Sequence, residues 1–175
     1  MRIRVFLLTL VVIDDAHLLD DARALERDET VLRLTPINIG ELAIAWRGKE
    51  RRVPLVGSTA PILAIHHLRM DRGQFLPEDD METARTVCVI GAKVYRELFG
   101  QQNAIGEMVR LGGFRCRVIG ILGSEGRSLG LDTEELVIVP VAFAQMLLNT
   151  EGLFRILIEA TDLDVIERLK NHIRT

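Results

Sequence analysis

Residues 86–100, TVCVIGAKVYRELFG, run from a short apolar segment through Gly91 and Ala92 into a stretch whose polar side carries Lys93, Arg96 and Glu97. A strand, a glycine and a helix in that order open many nucleotide sites, where amides at a helix N-terminus hold a phosphate. The spacing argues against that chemistry here. A dinucleotide fingerprint needs three glycines and a P-loop needs Gly-x4-Gly-Lys-Ser/Thr. Gly91 stands alone before Ala92, Lys93 and Val94, and no P-loop string occurs in the chain. Gly91 reads as a tight strand-to-helix turn.

The other chemically capable side chains are equally sparse. His66 and His67 are adjacent, so on a helix they point about 100° apart and do not chelate one metal as an i, i+4 pair would. Pro77 followed by Glu78, Asp79 and Asp80 has the composition of a helix N-terminus, with carboxylates set against the helix dipole. Calcium would need further oxygen ligands at loop spacing. Cys88 and Cys116 match no zinc or redox spacing; they read as two small core residues, with a disulfide as the alternative. Gly-x-Ser-x-Gly occurs once, at Gly126 to Gly130, but inside a glycine-rich polar loop and not in the strand-to-helix context of a nucleophile elbow. No catalytic, cofactor-binding or metal-ligating residue is assigned, and the chain is not expected to be an enzyme.

The whole chain sets the frame for these residues. Its 175 residues suffice for one good core or a compact body with a smaller subdomain. Hydrophobic residues make up 48 % and aromatics only 5 %, so the core is built mainly of Leu, Ile and Val, which suits sheet covered by helix. With 22 basic and 25 acidic residues the formal net charge is −3, giving no global basic field for nucleic acid. The longest apolar run, VFLLTLVVI at residues 5–13, is about half of a membrane-spanning helix. Arg2 and Arg4 before it imitate a signal peptide, but Asp14 and Asp15 follow at once and no small-x-small cleavage site is close behind. The run reads as a buried first strand.

RIRVFLLTLVVI is predicted as that strand, and DDAHLLDDARAL as a helix capped by Asp14 or Asp15, with Leu18, Leu19, Ala22 and Leu25 on one face. TVLRLTP and ELAIAWRG follow as two strands separated by Pro36 and Gly40, and RRVPLVGS pairs with the second across a turn at Gly48 and Lys49. Near the other end, LFRILIEA alternates Phe154, Ile156 and Ile158 against Arg155 and Glu159. DLDVIERLKNHI then places Val165, Ile166, Leu169 and Ile173 at helical spacing. The likeness of the two ends predicts an α+β fold with a split βα layer formed by both termini, residues 1–72 and 141–175. Residues 73–140 form an inserted, mainly β subdomain with strands TVCVI, MVRL, FRCRVIGIL and ELVIVP. Gly112 and Gly113 between alternating runs predict a two-residue hairpin with positive φ, Gly113 included.

Taken together, PLVGSTAPILAIHHLRMDRGQFLPEDD, ARTVCVIGAKVYRELFGQQNAIGEMVRLGGFRCRVIGIL and EELVIVPVAFAQMLL resemble the extracytoplasmic core domain of MacB-type ABC transporter permeases. The resembling elements are a strand ending in glycine and a hydroxyl residue (Val56 to Ser58) and an arginine-glycine-x-phenylalanine turn (Arg72 to Phe75). An acidic step (Glu78 to Asp80), a strand ending in glycine (Val87 to Gly91) and a helix ending Glu-Leu-Phe-Gly (Glu97 to Gly100) follow. A glycine hairpin (Ile105 to Gly113) and a strand closing on proline (Ile138 to Pro140) complete the order.

That resemblance implies a porter-like layer and a chain that hydrolyses no ATP itself, partnered with an ABC ATPase domain or subunit. One transmembrane helix before the domain and three after it are implied, so the chain reads as the soluble domain excised from between them, on the extracytoplasmic (periplasmic) face of the membrane. A dimer in the full transporter, a membrane-fusion protein, and exported cargo or a lipoprotein are the implied partners; nucleic acid is not one. A stand-alone periplasmic binding or scaffold module is the alternative. The implied contact surface is the glycine-rich polar loop GSEGRSLGLDTEE at residues 123–135, with Arg127 as a charged anchor and Leu129 and Leu131 as apolar contacts.

Overall fold

The computed structural model describes residues 6–11, 18–29, 31–124, 127–128, 130–150, 153 and 155–160. In chain order these give β1 (Phe6–Val11), α1 (Leu18–Glu26), β2 (Val31–Trp46), β3 (Lys49–Ser58), α2 (Ile62–Ile65), β4 (Met70–Gly73), β5 (Val87–Ile90) and α3 (Ala92–Phe99). There follow β6 (Met108–Leu111), β7 (Phe114–Leu122), β8 (Arg127–Ser128), β9 (Leu131–Asp132), β10 (Val137–Pro140), α4 (Val141–Leu148) and β11 (Arg155–Ala160). The fold is α+β. The helix expected over residues 162–173 and the caps expected at Asp14 and Asp15 lie outside the described residues.

Both ends of the chain share one ladder. β11 pairs antiparallel with β1 on one side and with β2 on the other. α1 covers this layer, burying Ala22 and Leu25 beside Leu34, Ile156 and Ile158. The second body of sheet begins on the same β2, which pairs antiparallel with β3; β3 pairs with β10, β10 with β5, and β5 with β7. β6 pairs with β7 and returns to β2 at Ile44 and Ala45, so the pairings close a ring of six strands. Inside it Leu42, Ile44, Val53, Leu55, Cys88, Ile90, Val109, Leu111, Cys116, Val118, Val137 and Val139 form one aliphatic core with Phe99 and Phe143. Much of the hydrophobic bias of the sequence is spent here: β5 and β10 are buried almost throughout and lose the alternation of a half-exposed sheet, whereas β6 keeps it.

Three local expectations are corrected. Pro36 and Gly40 do not divide two strands: β2 is continuous over 16 residues. Pro36 is tolerated near the place where the ladder passes from β11, last paired at Ile37, to β3, first paired at Asn38. Gly40 is there for packing, because a Cβ would stand 2.4 Å from a methyl of Leu148 on α4. The β2–β3 turn is Arg47-Gly48, with φ of 45° and 81°, and Lys49 already pairs with Trp46. In the β6–β7 turn Leu111 pairs with Phe114 as expected, but positive φ belongs to Gly112 (54°) and not to Gly113.

Cys88 and Cys116 are both free, fully buried thiols. Burial pushes the Cys88 thiol well above its ordinary range, and the neighbouring Cys116 adds to the shift.

Candidate functional site

The turn at Gly91 shows what occupies the helix end that the sequence made tempting. The amides of Lys93 and Val94, in the first turn of α3, donate to the carbonyl of Glu134 at 2.9 and 3.3 Å, and Gly91 N–H donates to the Leu136 carbonyl at 2.9 Å. The donors a phosphate would use are therefore engaged by the segment entering β10. Charge reinforces the same contact. Glu135 meets Lys93 Nζ at 2.7 Å and Arg51 of β3 at 3.2 Å, while Arg51 also reaches Glu97 at 2.8 Å. The hydrogen bond from Lys93, then its charge, holds the Glu135 carboxyl below its usual range.

At the other end of the aromatic core, Phe99 lies against Trp46 with ring centroids 4.2 Å apart. Arg72 of the arginine-glycine turn stacks over Tyr95 at 5.2 Å, and Tyr95 donates its hydroxyl to the Gln102 carbonyl at 2.9 Å. The motifs that carry the resemblance thus brace α3 from both ends.

The junction between the two sheets is polar and buried. Thr35 and Ser58 are fully buried. Thr35 Oγ1 lies 2.7 Å from Ser58 Oγ and 2.7 Å from Thr59 Oγ1. Ser58 Oγ donates to the Pro36 carbonyl at 3.1 Å. Where the ladder changes partner, side-chain hydroxyls supply hydrogen bonds that a regular strand pair would have made. The sequence signalled Ser58 only through its resemblance to the family element, and it did not signal Thr35.

The acidic step at Glu78 to Asp80 does not cap a helix, because residues 74–80 have no regular structure and no helix follows. Two of its carboxylates, Asp79 and Asp80, make ion pairs instead. Asp79 takes Arg85 in a two-pronged contact of 2.6 and 3.2 Å, and that hydrogen bond lowers the Asp79 pKa. Arg23 of α1 reaches Asp80 at 3.4 Å and Glu82 at 2.9 Å. Between them Met81 is buried among Ala22, Leu25, Leu34 and Ile156. Sequence reasoning missed this clasp, since nothing local marks Arg23 as its partner. A cleft of about 520 Å3 lies beside it, lined by Glu26, Arg33, Pro61, Leu63 and Glu78 among others.

Of the expected contact residues, Arg127 pairs with Asp132 and Ser128 with Leu131 in the short β8–β9 hairpin. Leu131 is half-buried and packs against the core of Ile37, Val56, Leu122 and Ile138, so it anchors the hairpin more than it projects. Leu129 lies outside the described residues. His66, at the end of α2, is half-buried near Arg155 and His67; burial lowers its pKa first and those two charges lower it further. Among the described residues no three His, Cys, Asp or Glu side chains group as a metal would require, and no helix is long and apolar enough to cross a membrane.

Comparison with known proteins agrees with this geometry. The model of the MacB-like periplasmic core domain matches residues 9–175. The pyoverdine export ATP-binding/permease protein PvdT of Pseudomonas aeruginosa is 30 % identical over 145 residues, 82 % of this chain and 22 % of that protein. The macrolide export ATP-binding/permease protein MacB of Bdellovibrio bacteriovorus is 31 % identical over 130 residues, 72 % of this chain and 20 % of that protein. The chain therefore spans about a fifth of these relatives. The fold is that of the periplasmic region of MacB from Actinobacillus actinomycetemcomitans, with TM-score 0.78, 16 % identity, and coverage of 96 % of this chain and 82 % of that one. The extracellular domain of the noncanonic ABC-type transporter YknZ from Gram-positive bacteria is similar at TM-score 0.73 and 17 % identity, over 95 % and 88 % of the two chains. The chain belongs to the MacB-like periplasmic core domain family.

Proposed function

We propose that this chain is an extracytoplasmic domain of an ABC transporter permease, coupling ATP hydrolysis in the cytoplasm to export or lipoprotein release. The observation that carries the reading is β2: one unbroken strand belongs to the chain-end layer through β11 and to the closed ring through β3. A displacement of the chain ends by transmembrane helices would pass into the ring along that strand, with the buried Thr35–Ser58 hydroxyls and the Arg23 clasp holding the two parts in register. In this reading the mechanical boundary lies inside β2, between Ile37 and Asn38, whereas the division proposed from the sequence runs at residues 72/73 and 140/141. Family membership supports the transport context, and the ATPase is assigned to a separate domain or subunit. No chemistry is assigned to this chain.

The test is made in the full-length transporter, with Thr35→Val and Ser58→Ala combined. Export should fall relative to ATP hydrolysis at an unchanged amount of protein in the membrane. Wild-type export per ATP hydrolysed would overturn the reading. The same assay, with partner capture, applies to the 123–135 segment as a contact for cargo or a membrane-fusion protein. Serine at Arg127, Leu129 and Leu131 should lower capture and export together, and wild-type levels of both would leave that segment a plain connection.

A further inference from the structure

The β2–β6 ladder that closes the ring is short, with Ile44 opposite Leu111 and Ala45 opposite Arg110. Beyond those two pairs the strands separate, and a groove of about 620 Å3 opens between the β2–β3 turn and the start of β6. Its lining is unusual for a chain of net charge −3, for three guanidinium groups, Arg47, Arg110 and Arg115, meet a single carboxylate, Glu107. All three arginines are exposed, and none makes an ion pair with a carboxylate among the described residues. Arg47 lies over the Trp46 ring at 4.6 Å.

Two features argue that this groove is kept for something. Arg110 and Arg115 are direct cross-strand partners, and like charges placed opposite each other destabilise a sheet. A counter-charge arriving from outside would relieve that repulsion. The groove also sets exposed Met108 (44 %) beside its arginines, both residue types enriched at protein interfaces, while Trp46, which lines it, is itself only 7 % exposed.

We propose that this groove docks an acidic polypeptide segment that also carries apolar residues. This rests on the coupling reading above only for its orientation. If the chain-end layer faces the membrane, β2 carries the groove away from the lipid by a strand about 50 Å long at roughly 3.3 Å per residue. That position favours a protein partner over a lipid headgroup. The exposed apolar surface of Met108 favours a peptide over a bare polyanion.

Trp46 is the sole tryptophan of the chain, so its fluorescence reports on the groove directly. The 175-residue chain is titrated with an eight-residue peptide of alternating Glu and Leu, with its Lys-Leu counterpart, with polyphosphate and with phosphatidylglycerol vesicles. The acidic peptide should shift Trp46 emission saturably, weaken as salt is raised, and lose about tenfold in affinity with Arg110→Ser and Arg115→Ser. Arg52→Ser, outside the groove, should leave binding unchanged. Equal binding of the Lys-Leu peptide, an unaffected double variant, or tighter binding of vesicles or polyphosphate would each overturn the proposal. Because the readout is binding to this chain, it stands or falls independently of export per ATP in the Thr35/Ser58 variant.

Discussion

Gly91 passes so close beneath Glu134 that a Cβ added to Gly91 would stand 2.3 Å from the Glu134 carbonyl oxygen. The obstacle is backbone, tied to α3 by two hydrogen bonds, and it cannot step aside as a flexible side chain would. Gly91→Ala should therefore cost about 1–3 kcal/mol of stability, as overpacking does elsewhere. An unchanged urea midpoint would show that the segment entering β10 yields freely. Because the same carbonyl occupies the α3 amides, the chain should bind no ATP by calorimetry. A nucleotide affinity that survived repurification would refute this.

The β6–β7 turn separates two adjacent glycines. Gly112, at φ 54°, holds a conformation that side chains other than glycine resist, so Gly112→Val should destabilise by about 1–3 kcal/mol. Gly113 has ordinary φ and open space around its Cα, so Gly113→Ala should be neutral or slightly stabilising. Denaturant midpoints of the two variants compared side by side decide it, and equal losses would contradict the assignment.

Ser58→Ala removes both the donor to the Pro36 carbonyl and a partner of Thr35 in a fully buried place. Leaving such groups unsatisfied costs about 1–3 kcal/mol. Hydrogen exchange should rise at Ile37 and Asn38 before it rises at the ring strands. Uniform exchange along β2 would argue that the hydroxyls do not hold the junction.

His66 gives the stability a pH dependence. Its folded pKa is lowered, chiefly by burial and then by Arg155 and His67, so the unfolded chain takes up its proton first. The contribution of neutral His66 is complete above the ordinary imidazole pKa of about 6.5 and is lost as pH falls below it towards the folded value. Melting temperatures measured between pH 7.5 and 5.5 should fall more steeply for the native chain than for His66→Gln. Parallel curves would remove His66 as the source.

The strands of the ring were readable one at a time, because Val87 to Ile90, Met108 to Leu111 and Val137 to Pro140 are short apolar or alternating runs bounded by turns. Their closure was not, since it depends on two residue pairs between β2 and β6 that no local pattern marks. Pro36 and Gly40 misled for the same reason: each reads locally as a break, while its meaning lies in a distant strand or helix. The acids at residues 78–80 carried the right charge for a helix cap, but Arg23, the partner of Asp80, is fixed only by tertiary packing, and Arg85 reaches Asp79 across an irregular stretch of six residues. At the junction, Thr35 and Ser58 are 23 residues apart in sequence, too far for spacing to join them.

A strand held by six residue pairs to β11 and then by nine to β3 is a lap joint. Tension along its axis loads each overlap in shear, with all the rungs sharing the force, whereas a pull across the sheet would peel them one by one. The splice is therefore stiff to sliding and soft to peeling, and the shorter overlap, on the β11 side, is where it would part first.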